Sequence, residues 1–215
     1  MKYFFSLHAF IFSAAVFSQP NEVDSLKNLL KNSSQDTAKL RLYVALSDIC
    51  NEDEILSFTT PALQIADKLL QKGNNPEKTK ILNLKSLALN NVGIFYRQSG
   101  RLDSAMKYYS EAMKMREESG DKRGMVESLN NIGDVFSQQG NFPMTLEYYF
   151  KGLKILEENH MQEGFTASYH NIGYVYLQQN DFDKALEYLN KSLKNNENKM
   201  ERGFSFTNIG NIYNL

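Results

Sequence analysis

The chain has 215 residues, of which 42% are hydrophobic and 23% are charged, so it can bury a sizeable core and is not a disordered chain. A formal net charge of -1 and a pI of about 6.3 exclude a dedicated nucleic-acid binder, because no excess of Lys and Arg is available to neutralise phosphates. The single cysteine, Cys50, excludes an intrachain disulfide and a cysteine-based zinc site.

Residues 1–18 have the composition of a secretory signal peptide. Lys2 precedes an apolar run from Phe4 to Phe17, and a cleavage site fits ahead of Gln19. The run is shorter than the roughly 20 residues of a membrane-spanning helix. We therefore expect export to the periplasm, with an uncleaved anchor facing the periplasm as the alternative, and no other membrane segment. N-terminal sequencing of the exported chain distinguishes the two.

Residues 19–35 are predicted to form a leader with a short helix over residues 22–32. Residues 36–75 then keep helical periodicity, with Leu46 and Ile49 in one stretch and Ala62 and Ile65 in the next. This pattern predicts a pair of amphipathic helices, although residues 36–75 lack the Asn-Val/Ile-Gly sequence that recurs later in the chain.

From residue 83 onward the sequence repeats at a spacing of about forty residues. The marker is Asn, then Val or Ile, then Gly, and it occurs at residues 91–93, 131–133, 171–173 and, after thirty-seven residues, 208–210. Four further columns share the forty-residue spacing, namely Gly100, Gly140 and Asn180; Leu102, Phe142 and Phe182; Ala105, Thr145 and Ala185; and Tyr109, Tyr149 and Leu189.

Each copy predicts two antiparallel helices joined by a tight turn. In one copy Leu129, Ile132 and Phe136 form a single apolar stripe, and Gly140 can take the left-handed conformation that ends the helix. The glycine of each marker falls inside a helix, where it costs about 1 kcal/mol relative to Ala. We expect this cost to be offset by close approach of the second helix, with its small residue, such as Ala105, facing the glycine.

The order of a large apolar residue, Val/Ile-Gly, an aromatic residue, then Gly, Phe, Ala and Tyr resembles the tetratricopeptide repeat in a forty-residue form. The resemblance implies an all-α fold, a right-handed α-solenoid of antiparallel helical hairpins. It places hairpins at about residues 76–119, 120–159 and 160–197, an unfinished fifth copy at 198–215, and a degenerate first hairpin at 36–75.

No catalytic or metal-binding constellation is recognisable. His160 and His170 are ten residues apart without a cysteine or carboxylate at ligand spacing, and no Gly-rich phosphate loop occurs. We predict that the 215 residues of this sequence have no catalytic activity and bind no metal and no cofactor.

Tetratricopeptide arrays line their concave surface with first helices, and the resemblance therefore implies a groove for an extended polypeptide. Helical geometry places the marker asparagines about 150° from the apolar stripe, away from their own hairpin. Their amides can pair with the backbone of a peptide regardless of its side chains. The predicted groove residues are Asn91, Asn131, Asn171 and Asn208, with Gln98, Gln138 and Gln178 beside them, and Asn90, Asn130, Asp134 and Tyr174 on the same side.

The marker asparagines have an alternative, architectural role. Each marker Asn can instead bridge adjacent repeats by bonding a backbone carbonyl.

Tyr174 and Ile94 are candidate apolar anchors for a partner. The groove positions lack Lys and Arg, so we do not expect the clamp that some tetratricopeptide domains use for a C-terminal carboxylate.

The sequence leaves three functions open. The first is a periplasmic scaffold that binds a protein or peptide partner. The second is the N-terminal sensor part of a longer signalling protein, with a histidine kinase or DNA-binding output domain. The third is a homo-oligomer formed through the last helix, which carries Phe204, Phe206 and Ile209.

Overall fold

The computed structural model describes residues 20–72, 75–161, 163–194 and 199–214. These residues form α-helices without any β-strand, which confirms the predicted all-α class. The helices are α1 (Pro20–Asn32), α2 (Asp36–Ile49), α3 (Ile55–Gln71), α4 (Lys78–Gln98), α5 (Leu102–Ser119), α6 (Lys122–Gln138), α7 (Phe142–Glu158), α8 (Phe165–Gln178), α9 (Phe182–Lys194) and α10 (Lys199–Tyr213).

The predicted signal peptide, residues 1–18, lies outside the described residues, and export stays a prediction. Among the helices that the structure describes, none has the length and apolar character needed to cross a membrane.

The chain divides into two compact units, Met1–Pro76 and Glu77–Leu215. In the first unit, α2 packs against α3 and α1 packs against α2. Fully buried Leu40 and Leu46 of α2 and Ala62 and Ala66 of α3 form the centre of this unit. The small alanines of α3 leave room for the leucines of α2, which allows the two helices to lie close together.

The second unit contains three helical hairpins, formed by α4 with α5, α6 with α7, and α8 with α9. Helix α10 follows and packs against α8 and α9. Each hairpin turns where the sequence predicts it, because Gly100 and Gly140 have φ angles of +72° and Asn180 has a φ angle of +58°. These residue types adopt the left-handed conformation with the least strain.

The marker glycines lie where a second helix crosses closest to a first helix. A Cβ atom added to Gly133 would lie 2.6 Å from the ring of Tyr149, and one added to Gly93 would lie 2.5 Å from Tyr109. The predicted close approach is therefore present. The nearest atoms belong to the tyrosine one turn after the Ala105 position, which the sequence did not predict, and in the middle hairpin the backbone oxygen of Thr145, aligned with Ala105, lies 3.4 Å from the added Cβ.

Thr145 occupies a column that holds alanine in the neighbouring hairpins, and the sequence offers no reason for it. The structure does, because the Thr145 hydroxyl donates a hydrogen bond of 2.9 Å to the carbonyl of Asn141. Thr145 is completely buried, and this bond satisfies a hydroxyl that would otherwise be costly to bury.

Candidate functional site

All of the predicted groove residues lie on α4, α6, α8 and α10, which are the first helices of successive hairpins. Two of them link α4 to α6 directly. The Asn131 amide donates a 2.8 Å hydrogen bond to Oδ1 of Asn90, and the Asn90 amide donates a 3.2 Å bond to Oε1 of Glu127. Asn90 is 3% exposed and Asn91 is 8% exposed. In this part of the array the amides connect repeats, and the acceptor is a side chain instead of the backbone carbonyl considered from the sequence.

Arg116 of α5 extends this connection across the hairpin. Its Nη2 donates a 2.8 Å hydrogen bond to Oε2 of Glu127, and its Nη1 donates a 2.7 Å bond to the hydroxyl of Ser128. The Arg116 side chain is only 1% exposed. We name the set Asn90, Arg116, Glu127, Ser128 and Asn131 the amide–arginine bridge. It joins α4 and α5 of one hairpin to α6 of the next.

Arg116 is not among the predicted site residues, although the sequence carries a signal for it. Tyr109, Ala112 and Arg116 stand at positions i, i+3 and i+7 of α5, so the arginine continues a buried stripe. A cation in such a stripe requires acceptors on the neighbouring helix. Glu127 and Ser128 supply them.

A second polar group forms around Asp134 of α6. Its carboxylate accepts a 2.5 Å hydrogen bond from the Tyr149 hydroxyl and lies 3.7 Å from Nη1 of Arg97 on α4. Arg97 in turn donates a 3.4 Å hydrogen bond from Nε to the Tyr109 hydroxyl. We name these four residues the tyrosine–charge cluster. Within it, the positive charge of Arg97 is balanced by the carboxylate of Asp134.

Burial and neighbouring charges shift the pKa values of the residues in this cluster. Burial raises the pKa of Asp134, and the nearby Arg97 guanidinium and the Tyr149 hydroxyl only partly oppose this. Burial also raises the pKa of Tyr109 to about 12. For Arg97, burial acts to lower the pKa, but the Asp134 carboxylate and the Tyr109 oxygen together raise it.

The placement of Asp134 differs from the prediction. Helical geometry put it away from its own hairpin, yet it bonds Tyr149 of α7. The reason is that Gly133 has no side chain, so the Tyr149 ring passes beside it and brings the hydroxyl to the next residue. Asn130 also lies toward its own hairpin, because its Oδ1 would be 3.3 Å from a Cβ added to Gly152 of α7.

The remaining predicted residues differ in accessibility. Gln98, Gln138 and Gln178 end α4, α6 and α8, and all three are exposed. Asn171, Asn208 and Tyr174 are half-buried, and burial raises the pKa of Tyr174. Ile94 is 9% exposed and packs with Tyr109 and Ile132, so it belongs to the core and does not serve as an anchor.

Two models of the family described as tetratricopeptide repeat match residues 85–158 and 166–199, which together make up about half of the chain. The chain belongs to the tetratricopeptide repeat family. The matched segments run from the middle of α4 through α9, and they contain the three glutamines and the four residues of the tyrosine–charge cluster.

Solved tetratricopeptide-type structures show the same fold. BtubC (BKLC) from P. vanneervenii is 21% identical, with a TM-score of 0.69, over 94% of this chain and 82% of that chain. A signal transduction ATPase with numerous domains (STAND) from Pyrococcus horikoshii, which has a tetratricopeptide repeat sensor, is 19% identical, with a TM-score of 0.62, over 94% of this chain and 30% of that chain. A Rap protein complexed with competence and sporulation factor is 14% identical, with a TM-score of 0.62, over 83% of this chain and 50% of that chain. A comparison with curated proteins gives no match.

One ionisable group of the tetratricopeptide array makes folding depend on pH. Nδ1 of His170 on α8 lies 3.0 Å from the Ser205 hydroxyl on α10, and burial lowers the pKa of His170 from 6.5 to about 4. As the pH falls below 6.5, the unfolded chain gains a proton that the folded chain does not accept. The free energy of unfolding should therefore fall between pH 6.5 and pH 4, by up to about 3 kcal/mol.

Urea unfolding of the wild type and of His170→Asn, each at pH 7 and pH 4.5, measures this contribution. We expect the loss of stability on acidification to be about 2 kcal/mol smaller in the variant. Equal losses in the two proteins would show that other groups cause the acid sensitivity.

Proposed function

We propose that this array is a scaffold that binds an extended segment of a partner protein along its first helices. Tetratricopeptide repeats are generally interaction modules and not catalysts, and their stacked hairpins create extended binding surfaces. The observation that carries the proposal is the row of exposed Gln98, Gln138 and Gln178, one at the end of each first helix.

Glutamine suits this role because its amide both donates and accepts hydrogen bonds. Three equivalent amides, one for each hairpin, can pair with backbone groups spaced along an extended peptide whatever its side chains are. The marker asparagines are less available at one end of the array, because Asn90 and Asn131 bond each other and Asn91 is buried. Asn171, Asn208 and Tyr174 add a half-buried polar and aromatic edge.

The test uses random unstructured 12-residue peptides displayed on phage, selected on residues 19–215. Selected peptides should bind the triple variant Gln98→Ala, Gln138→Ala, Gln178→Ala at least tenfold more weakly, as measured by fluorescence anisotropy. The melting temperature should stay the same, because exposed side chains contribute little to stability.

The matched control is the triple variant Lys107→Ala, Glu147→Ala, Glu187→Ala. These residues form an equivalent exposed column on the second helices α5, α7 and α9. Their replacement should leave peptide affinity within a factor of two. Equal losses in both triple variants, or no loss in the glutamine variant, would rule out the glutamine row as the binding surface.

A second candidate, the sensor part of a longer signalling protein, is favoured by one comparison. The STAND protein from Pyrococcus horikoshii carries a tetratricopeptide repeat sensor, and this chain covers 30% of its length. In this reading the same surface binds a ligand and passes the bound state to an output domain. Sequencing the reading frame beyond Leu215 tests the idea, since an immediate stop codon would remove it.

A further inference from the structure

Arg97 of the tyrosine–charge cluster has more hydrogen-bond donors than the cluster uses. A guanidinium group has five N–H donors. Among the described residues, Arg97 makes one hydrogen bond, the 3.4 Å bond from Nε to the Tyr109 hydroxyl, and its Nη1 lies 3.7 Å from the Asp134 carboxylate. The first distance is long for an N–H···O hydrogen bond, and the second is too long for one. The Nη groups of Arg97 therefore keep unused donors.

Arg116 of the same array shows how a structural arginine is bonded. Its Nη1 and Nη2 make hydrogen bonds of 2.7 and 2.8 Å, and its side chain is 1% exposed. The side chains of Arg97 and Asp134 are 14% and 23% exposed. A group from solution can therefore reach Arg97 and Asp134, whereas Arg116 is closed off.

Asp134 supplies an acceptor beside the unused donors. Its Oδ1 accepts the hydrogen bond of the Tyr149 hydroxyl. Its Oδ2 is the atom that lies 3.7 Å from Nη1 of Arg97, and it accepts no hydrogen bond within the part of the chain that the structure describes. A donor on α4 and an acceptor on α6 thus stand side by side, both incompletely bonded.

This charge pair is recessed beside the glutamine row. Gln98 directly follows Arg97, and Gln138 stands one turn after Asp134 on the same helix face. Both glutamines are exposed, whereas Arg97 and Asp134 are not. We therefore expect a peptide backbone on the glutamine row to reach the pair with a side chain.

The two charges favour an uncharged side chain. A carboxylate beside the pair is attracted by Arg97 and repelled by Asp134, and a cation meets the reverse, so neither gains enough Coulomb energy to offset its desolvation. An apolar side chain removes water from both groups without supplying hydrogen bonds. A carboxamide carries an acceptor for Arg97 and a donor for Asp134.

We propose that Arg97 and Asp134 bind the carboxamide of a glutamine or asparagine side chain in the bound segment. The amide oxygen accepts a hydrogen bond from the Nη groups of Arg97, and the amide nitrogen donates one to Oδ2 of Asp134. This inference rests on the function proposed above, because it identifies one side chain of the segment that the array binds. Between the next two hairpins, Ser137 and Tyr174 hold the equivalent positions, so we expect one such amide in each bound segment.

The first measurement is the sequence of peptides selected from a random 12-residue library displayed on phage, with the full chain as the target. The aligned peptides should share one position at which glutamine or asparagine occurs about five times as often as in the unselected library.

The second measurement is fluorescence anisotropy with one selected peptide and its isosteric acid, in which glutamate replaces that glutamine or aspartate replaces that asparagine. The acid should bind the wild type about tenfold more weakly than the amide. In the variant Asp134→Asn the order should reverse, because the charge of Arg97 is no longer balanced and attracts the acid. The melting temperature should change little, since the new amide oxygen can still accept the hydrogen bond of the Tyr149 hydroxyl.

Asp103→Asn is the matched control. It removes the same charge from an exposed position in the first turn of α5, on a second helix. This variant should keep the preference of the wild type for the amide, so a reversal seen only in Asp134→Asn is a local effect.

Arg97→Met decides the question if Asp134→Asn does not fold. It keeps the aliphatic part of the side chain and removes the donors. It should weaken the amide peptide about tenfold and leave the affinity of a peptide with alanine at that position within about a factor of two. A loss that is equal for the two peptides would mean that Arg97 only supports the fold.

Several results would overturn the proposal. Selected peptides without an enriched amide would reject it and leave the scaffold function standing. A preference of the wild type for the acid would make Arg97 an anion site. An amide preference that survives in both Asp134→Asn and Arg97→Met would place the amide elsewhere on the array. If no peptide is selected at all, the scaffold function fails and this inference fails with it.

Discussion

Replacing Gly133 with alanine is expected to lower the free energy of unfolding by about 2–3 kcal/mol, although alanine is the better helix former. The added methyl group would lie 2.6 Å from a ring carbon of Tyr149 and 3.4 Å from the carbonyl oxygen of Thr145. Tyr149 is 4% exposed, and its hydroxyl is bonded to Asp134. The ring therefore cannot move aside without breaking that bond. Urea unfolding followed by circular dichroism measures the effect.

Gly210→Ala is the control for this prediction, because it makes the same change at the equivalent position of α10. Among the described residues, and apart from its chain neighbours and the backbone of its own helix, no atom lies within 4 Å of the added methyl group there. This variant should be about 1 kcal/mol more stable than the wild type, which is the usual helix preference for Ala over Gly. If both variants gain stability, Tyr149 does not prevent a side chain at residue 133.

Truncation of the Arg116 side chain should lower the free energy of unfolding by a similar amount. Arg116→Ala is expected to lower the free energy of unfolding by about 3 kcal/mol, because it removes a fully buried side chain and leaves the buried Ser128 hydroxyl without its donor. Arg116→Met should recover part of this loss, since it restores the aliphatic packing without the hydrogen bonds. Urea unfolding of the two variants separates packing from polar contributions.

Two controls establish that burial is the cause. Arg123→Ala breaks the ion pair with Glu163, in which both side chains are more than 70% exposed, and it should change stability by less than about 0.5 kcal/mol. Glu127→Gln removes the carboxylate partner of Arg116 but keeps a hydrogen-bond acceptor, and it should cost about 1 kcal/mol or less, because Glu127 is half exposed. A loss for Arg116→Ala no larger than these would contradict the burial argument.

The repeated features of the sequence predicted the fold well, because they act locally. Gly100, Gly140 and Asn180 mark the turns through their left-handed conformation, and Gly93, Gly133 and Gly173 each lie at a close helix crossing. These requirements recur in each hairpin, so one copy supports the interpretation of the next. Periodicity alone could not show that the tyrosine one turn later, Tyr109 or Tyr149, would supply the atoms nearest the glycine.

The candidate site was less predictable, because it depends on residues that differ between repeats. The column of Ile94, Asp134 and Tyr174 holds a core residue, a half-buried carboxylate bonded to Tyr149 and a half-buried ring, respectively. Counting along a single helix gives the three residues the same direction. Their environments differ because other helices supply different neighbours, which a single helix does not reveal.

The crossing of Tyr149 over Gly133 has a consequence for how this array can change during evolution. A tyrosine can deliver its hydroxyl to the first helix only where a glycine lets the ring pass, and the hydroxyl is useful only where a charged residue accepts or donates the bond. The first two complete hairpins combine glycine, tyrosine and a charged residue, in Gly93, Tyr109 and Arg97 and in Gly133, Tyr149 and Asp134. In the next hairpin Leu189 covers Gly173, and the arginine and aspartate positions hold Leu177 and Tyr174. We therefore expect the tyrosine and its charged partner to be gained or lost together. The repeats should differ in this pair of residues more than in either side chain alone.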